Sequence, residues 1–178
     1  IMEEHPEVSY IYNDEFGDTN TSKSLLRGLR LTGSDPVLWL NGDVVFDPAV
    51  LEILQPYIDR DQSFVAVNTE SVSDEEVKYT LDDRGFINEI SKEVSGGLGE
   101  AVGINFVGSS DKPFLAARLE DCGPQDYFER GIELAIQRDR RKFRAVDISA
   151  ARCMEVDFPT DLAQAETTFA DLGSVRKG

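Results

Sequence analysis

The chain has a single histidine, His5, so it cannot assemble a multi-histidine zinc site or a catalytic triad that turns on imidazole. It has only two cysteines, Cys122 and Cys153, without metal-ligand spacing, and they read as reduced packing residues of an intracellular, cytoplasmic protein. Basic residues are scarce: 18 Lys and Arg stand against 34 Asp and Glu, a formal net charge of −16. That field repels a polyphosphate backbone and excludes a nucleic-acid partner or an anionic membrane surface. No apolar run approaches the length of a membrane span, and the first residues lack the pattern of a signal peptide. What remains is a composition 40% hydrophobic and 29% charged, within reach of one globular domain with a real core.

The most informative stretch is Asn41-Gly42-Asp43, which closes the apolar run Val37-Leu38-Trp39-Leu40. Four apolar residues in a row predict a strand buried on both faces, as in a parallel sheet covered by helices. Such strands end in a crevice where α/β proteins bind ligands. A glycine there lets backbone approach closely, and the following carboxylate suits a Mg²⁺ ion that itself carries phosphates. The plainer alternative is an Asp that caps the next turn. A second acidic cluster, Glu155-Val156-Asp157, sits in a similar strand-end setting far downstream. Glu155 and Asp157 share one face of that strand, because alternate residues point the same way.

Along the chain, alternation predicts a strand over residues 9–13, then a polar loop and a helix over 22–31 with Leu25, Leu26 and Leu29 on one face. Asp47-Pro48 starts a helix that runs to about Tyr57. Residues 64–67 read as a buried strand. Residues 77–81 and 86–90 flank Asp82-Asp83-Arg84-Gly85 as a hairpin. A glycine-rich stretch, 96–103, reads as a flexible turn before a strand over 102–107. Helices over 111–119 and 126–138 follow, then strands over 143–148 and 153–156, and a last helix capped by Thr160 with Asp161 in its first turn. No linker or repeat divides residues 1–178, so the expectation is one domain. It is an α/β fold with a Rossmann-like mixed sheet and a smaller, more antiparallel, substrate-facing part.

Four stretches in order, "YNDEFGDTNTSKSL", "LWLNGDVVFDP", "LDDRGFINEISKEVSGGLGEAVGINF" and "CMEVDFPTDLAQAE", resemble nucleotidyltransferases of the sugar-phosphate and alcohol-phosphate kind, nearest to phosphocholine and inositol-phosphate cytidylyltransferases. The resemblance covers residues 10–169. It implies Mg²⁺-dependent transfer of a nucleotidyl group from a nucleoside triphosphate, CTP first, to a phosphorylated alcohol such as phosphocholine or inositol phosphate, with release of pyrophosphate. It makes Asp43 and Asp157 the metal ligands and Lys92 the cation that faces the phosphates. Asn20, Ser24 and Gly42 would lie beside the nucleotide. Tyr127 falls where an acceptor head group reaches, and Glu155 either supports Asp157 and the substrate or stays solvated. The alternatives are a non-catalytic binding or regulatory module on the same fold, and a sugar-phosphate nucleotidyltransferase. One departure stands out. The family opens with a strand and a glycine-rich loop bearing Arg and Lys that cradles the triphosphate, and these residues contain no counterpart. The resemblance therefore implies that N-terminal strands are missing and that the chain alone has little activity. The gap would be filled by residues 9–13 or closed by a second copy, as a homodimer.

Overall fold

The computed structural model describes residues 5–70 and 76–172. In chain order its elements are α1 (Thr21–Leu31), β1 (Val37–Leu40), β2 (Val44–Phe46), α2 (Ala49–Ile58), β3 (Phe64–Asn68), β4 (Lys78–Leu81), β5 (Ile87–Ser91), β6 (Glu100–Val107), α3 (Lys112–Asp121), α4 (Phe128–Asp139), β7 (Arg144–Asp147), β8 (Cys153–Glu155) and α5 (Pro159–Thr168). Six strands form a mixed sheet in the order β5-β4-β6-β3-β7, with β1 also paired to β6. Among the described strands only β3 and β7 run parallel; the other pairings are antiparallel. β2 and β8 make a separate two-stranded antiparallel ribbon.

Alternation along β3 divides the core into two layers. Val65 and Val67 face α1, α3 and α4, where they join Leu26, Leu29, Leu115, Leu119, Phe128 and Ile132. Phe64 and Ala66 face the other way, toward α2, with Val50, Leu54, Ile104, Phe106, Val146 and Ile148. Each fully buried Leu, Ile, Val or Phe contributes about 1.5–3 kcal/mol of burial. The sheet is thus apolar on both faces, which explains why β3 is an unbroken hydrophobic run. The mixed α/β architecture expected from the sequence is the one observed.

Two lysines fix the helices that frame the site. The Lys112 ammonium, buried in α3, lies within hydrogen-bonding distance of Thr32 O at 3.2 Å, Thr32 Oγ1 at 2.5 Å, Gly33 O at 3.0 Å and Asp35 O at 2.8 Å. It ties down the carbonyls at the end of α1 and the loop that leads into β1, as a cation does at a helix C-terminus. Lys23 does the converse, donating from α1 to Leu119 O at 2.9 Å and Cys122 O at 2.6 Å at the end of α3. The N-cap of α2 is Pro48 rather than Asp47; one residue earlier, the Asp47 carboxylate accepts from the Ala49 N–H at 2.9 Å, and Arg152 bridges Asp47 to Asp171.

Several expectations need correction. Residues 9–13 form no strand and pair with nothing in the sheet; the polar alternation there had no strand edge to join. β1 is not buried on both faces. Among the described strands it pairs with β6 alone, its first three residues are half-buried, and Leu40 is 41% exposed. The glycine-rich stretch is in part strand: Glu100 to Gly103 belong to β6. The cap of α5 is Phe158 rather than Thr160, and Asp161 completes the turn by accepting from the Phe158 N–H at 2.8 Å. Cys122 and Cys153 are both free, and burial pushes the Cys153 thiol up to about 11. No described helix is long and apolar enough to cross a membrane.

Candidate active site

The end of β1 meets the end of the ribbon through backbone geometry. β6 carries extra residues opposite β3: the pairing steps from Val65–Asn105 to Val67–Ala101, two residues on β3 against four on β6. Gly103 absorbs this bulge with φ of +71°, a conformation that L side chains rarely adopt. Its carbonyl accepts from the Asn41 N–H at 2.9 Å, and the Asn41 side chain lies across the space a Cβ would occupy. From there Gly42 and Asp43 turn into β2. β2 pairs with β8 so that Val44 lies opposite Glu155, and the Val156 N–H donates to Asp43 O at 2.9 Å. Asp43 and Asp157 therefore leave adjoining strands at the same end of the ribbon.

Both carboxylates line an open cavity of about 620 Å³. Ser24, Gly42, Lys92, Tyr127 and Glu155 line it too, so seven of the eight residues singled out from the sequence converge on one space. Asn20 does not. Its side chain caps α1 by accepting from the Thr21 N–H at 2.7 Å. Ser24 is held by the Asn13 amide, which donates to Ser24 Oγ at 3.0 Å. Lys92 reaches the cavity from the turn after β5, with Nζ 5.2 Å from the centroid of the Tyr127 ring.

Three cavity residues escaped the sequence reading. Trp39 was read only as a strand residue, yet it lines the cavity and stands edge-on to Phe128, ring centroids 5.7 Å apart. Its Nε1 is buried without a partner among the described residues. Glu76 contributes another carboxylate. Glu129, in the first turn of α4, is half-buried as a residue, but its Oε2 is sealed from solvent and has no partner among the described residues. The only sequence signal for it was its place two residues after Tyr127.

The electrostatics are lopsided. Asp43, Glu76, Glu129, Glu155 and Asp157 line the cavity, with Lys92 as its only basic residue among those described. Burial, then Glu76, Asp43, Asp157 and Glu100, push the Glu155 carboxyl up to about 7. Burial pushes Glu129 to about 7 as well, with Lys92 opposing and Glu155 reinforcing. Among the described residues no three His, Cys, Asp or Glu side chains form a metal-holding group. Asp43 and Asp157 supply two carboxylates on one cavity wall, which is the donor type that Mg²⁺ takes alongside phosphate and water.

A family model, glycosyl transferase family 2, matches residues 1–112. The chain belongs to that family. The match includes Asn41-Gly42-Asp43 and Lys92, whereas Tyr127, Glu129, Glu155 and Asp157 lie beyond it. No curated protein matches the chain. Among solved structures, the family 2 chain is similar to the inositol-1-phosphate CTP transferase of T. maritima (TM-score 0.70, 17% identity, 86% of this chain and 62% of that one). It is similar to the CTP:phosphocholine cytidylyltransferase of Streptococcus pneumoniae (TM-score 0.71, 14% identity, 94% and 72%). It is also similar to a putative glucose-1-phosphate thymidylyltransferase of Bacillus anthracis (TM-score 0.67, 15% identity, 93% and 67%). At these identities the likeness establishes a shared nucleotidyltransferase-type fold. The chain spans less than two thirds of the T. maritima protein's length.

Proposed function

We propose that this family 2 chain carries the catalytic carboxylates of a Mg²⁺-dependent nucleotidyltransferase that uses CTP and a phosphorylated alcohol such as phosphocholine or inositol phosphate. The observation that carries the reading is the meeting of Asp43 and Asp157 at one end of the β2–β8 ribbon, on the wall of a cavity that also holds Lys92. An acceptor phosphate oxygen attacks the α-phosphorus in line, and the bond to the departing pyrophosphate breaks. No proton has to move at the attacking oxygen, so the protein's task is orientation and charge compensation. When bound, Mg²⁺ would neutralise the α-phosphate as negative charge builds there. Asp43 and Asp157 would hold that ion. Lys92 offsets the repulsion between the two phosphates, and Ser24 and the exposed backbone at Gly42 lie within the same cavity for the nucleoside.

The test is pyrophosphate release by the full-length protein from CTP with Mg²⁺ and either acceptor. Release that depends on acceptor and is lost in Asp43→Asn supports the reading. Family membership favours a second reading, glycosyl transfer from a nucleoside diphosphate sugar. Release of nucleoside diphosphate from such a donor, with no pyrophosphate from any triphosphate, would select it. Indifference to every nucleotide would leave a non-catalytic binding module.

A further inference from the structure

We infer that Glu129 is a positioning residue that sets where the Lys92 ammonium rests, and so how much of its charge the cavity offers to a phosphate. This rests on the phosphate-binding reading of the same cavity. Lys92 and Glu129 share the cavity without touching: Nζ lies over the Tyr127 ring, 5.2 Å from its centroid, and Glu129 Oε2 has no partner. The carboxyl accepts from its own backbone N–H, but with Oε2 sealed from solvent and unpartnered among the described residues the anion is still costly, and the simplest relief is the lysine beside Tyr127. The ammonium therefore has two resting places. One is the exposed shelf of Tyr127, facing the cavity, and the other is inward against Glu129 at the start of α4.

Which place it takes depends on whether Glu129 carries a proton. Burial holds that proton up to about 7, Lys92 favours its loss, and Glu155 on β8 favours its retention. The other charges around the cavity are Asp43 after β1, Glu76 before β4 and Asp157 after β8, all of the same sign as ionised Glu129. From α1 the lining residues Thr21, Ser24, Leu25 and Gly28 bring no charge. On α4 itself Arg130 pairs with Glu133, and from α3 Arg118 pairs with Asp121 and Asp139 at the far end of α4. Among the described residues, Lys92 is thus the one cation lining the cavity with Glu129. Below neutrality the ammonium stays on Tyr127, available to phosphate. Above neutrality it is drawn to Glu129 and phosphate binding weakens.

The experiment follows the Lys92 side-chain Cε resonance in the ligand-free full chain from pH 5.5 to 8.5. A shift with a midpoint near 7 is expected, absent in Glu129→Gln and retained in Glu155→Gln. A shift that persists in Glu129→Gln, or no shift at all in the parent protein, overturns the inference. Should Glu129→Gln fail to fold, Glu129→Leu removes the same charge without burying an amide. Binding of Mg²⁺-CTP supplies the second arm. The ratio of Kd in the parent to Kd in Glu129→Gln should be near one at pH 5.5 and rise at least threefold by pH 8.5. A flat ratio overturns the link to phosphate. Failure of Mg²⁺-CTP to bind at any pH overturns the functional reading instead and leaves the resonance result to stand on its own.

Discussion

Replacing Gly103 with alanine perturbs the site from behind, without touching a charged group. Two costs add. The backbone sits at φ of +71°, where a Cβ costs roughly 1–2 kcal/mol. The new Cβ would also lie 2.7 Å from Asn41 Nδ2, 2.9 Å from its Cγ and 3.0 Å from its Cβ. The amide end can swing away, but the Asn41 Cβ moves only with its backbone, which is the strand end that leads into Gly42 and Asp43. The expected loss is about 1–3 kcal/mol of stability, and each kcal/mol lowers Tm by about 2–4 °C in a chain of this size. Denaturant unfolding reads the first effect. The second is a displaced Asp43: Mg²⁺-CTP affinity should fall more than in Gly17→Ala, where an added Cβ meets nothing within 4 Å and lies outside the cavity lining. An alanine variant with unchanged stability and unchanged metal–nucleotide affinity would refute the claim that the β6 bulge positions the turn.

Lys112→Met should cost about 1–3 kcal/mol in denaturant unfolding, because the carbonyls of Thr32, Gly33 and Asp35 lose a buried donor; a neutral result would mean that water takes over the role. Glu129 and Glu155 both bind their protons more tightly when folded than when unfolded, so their contribution is full below about 4.5 and is lost as pH rises through about 7. For Glu129 the loss has a ceiling of about 3 kcal/mol, with less for the more solvated Glu155. Thermal melts should therefore fall in Tm over that interval, and fall less in Glu129→Gln. We also expect the edge of β1, which has no strand beside it other than β6 among the described residues, to pair with a second copy; a monomer at all concentrations in sedimentation velocity would contradict this.

The convergence of residues on the candidate site was legible where chemistry and chain punctuation coincide. Asn41-Gly42-Asp43 and Glu155-Val156-Asp157 each end an apolar run in acid, and the ribbon register brings those two ends together. Helix starts at Asp47-Pro48 and the hairpin around Gly85 were legible for the same local reason. What failed depended on neighbours. Val37 to Leu40 has the composition of a doubly covered strand, yet its burial is decided by how many strands lie beside it. Residues 9–13 alternate like a strand, but alternation does not supply a partner. Glu129 was invisible because an acid in a first helical turn is ordinary; only the packing of α4 against the cavity seals its Oε2. Gly103 reads as loop composition, and its role appears only when the bulge against β3 is seen.

The central claim is that Asp43 and Asp157 form one metal–nucleotide site. Calorimetric titration of Mg²⁺-CTP into the full-length protein, Asp43→Asn, Asp157→Asn and the double variant tests it most directly. Each single change should weaken binding by roughly 10-fold or more, as expected when a metal ligand is lost. The double change should be little worse than either alone, since groups that share a ligand are not additive. Unaffected binding in either single variant, or losses that simply add, would contradict the account.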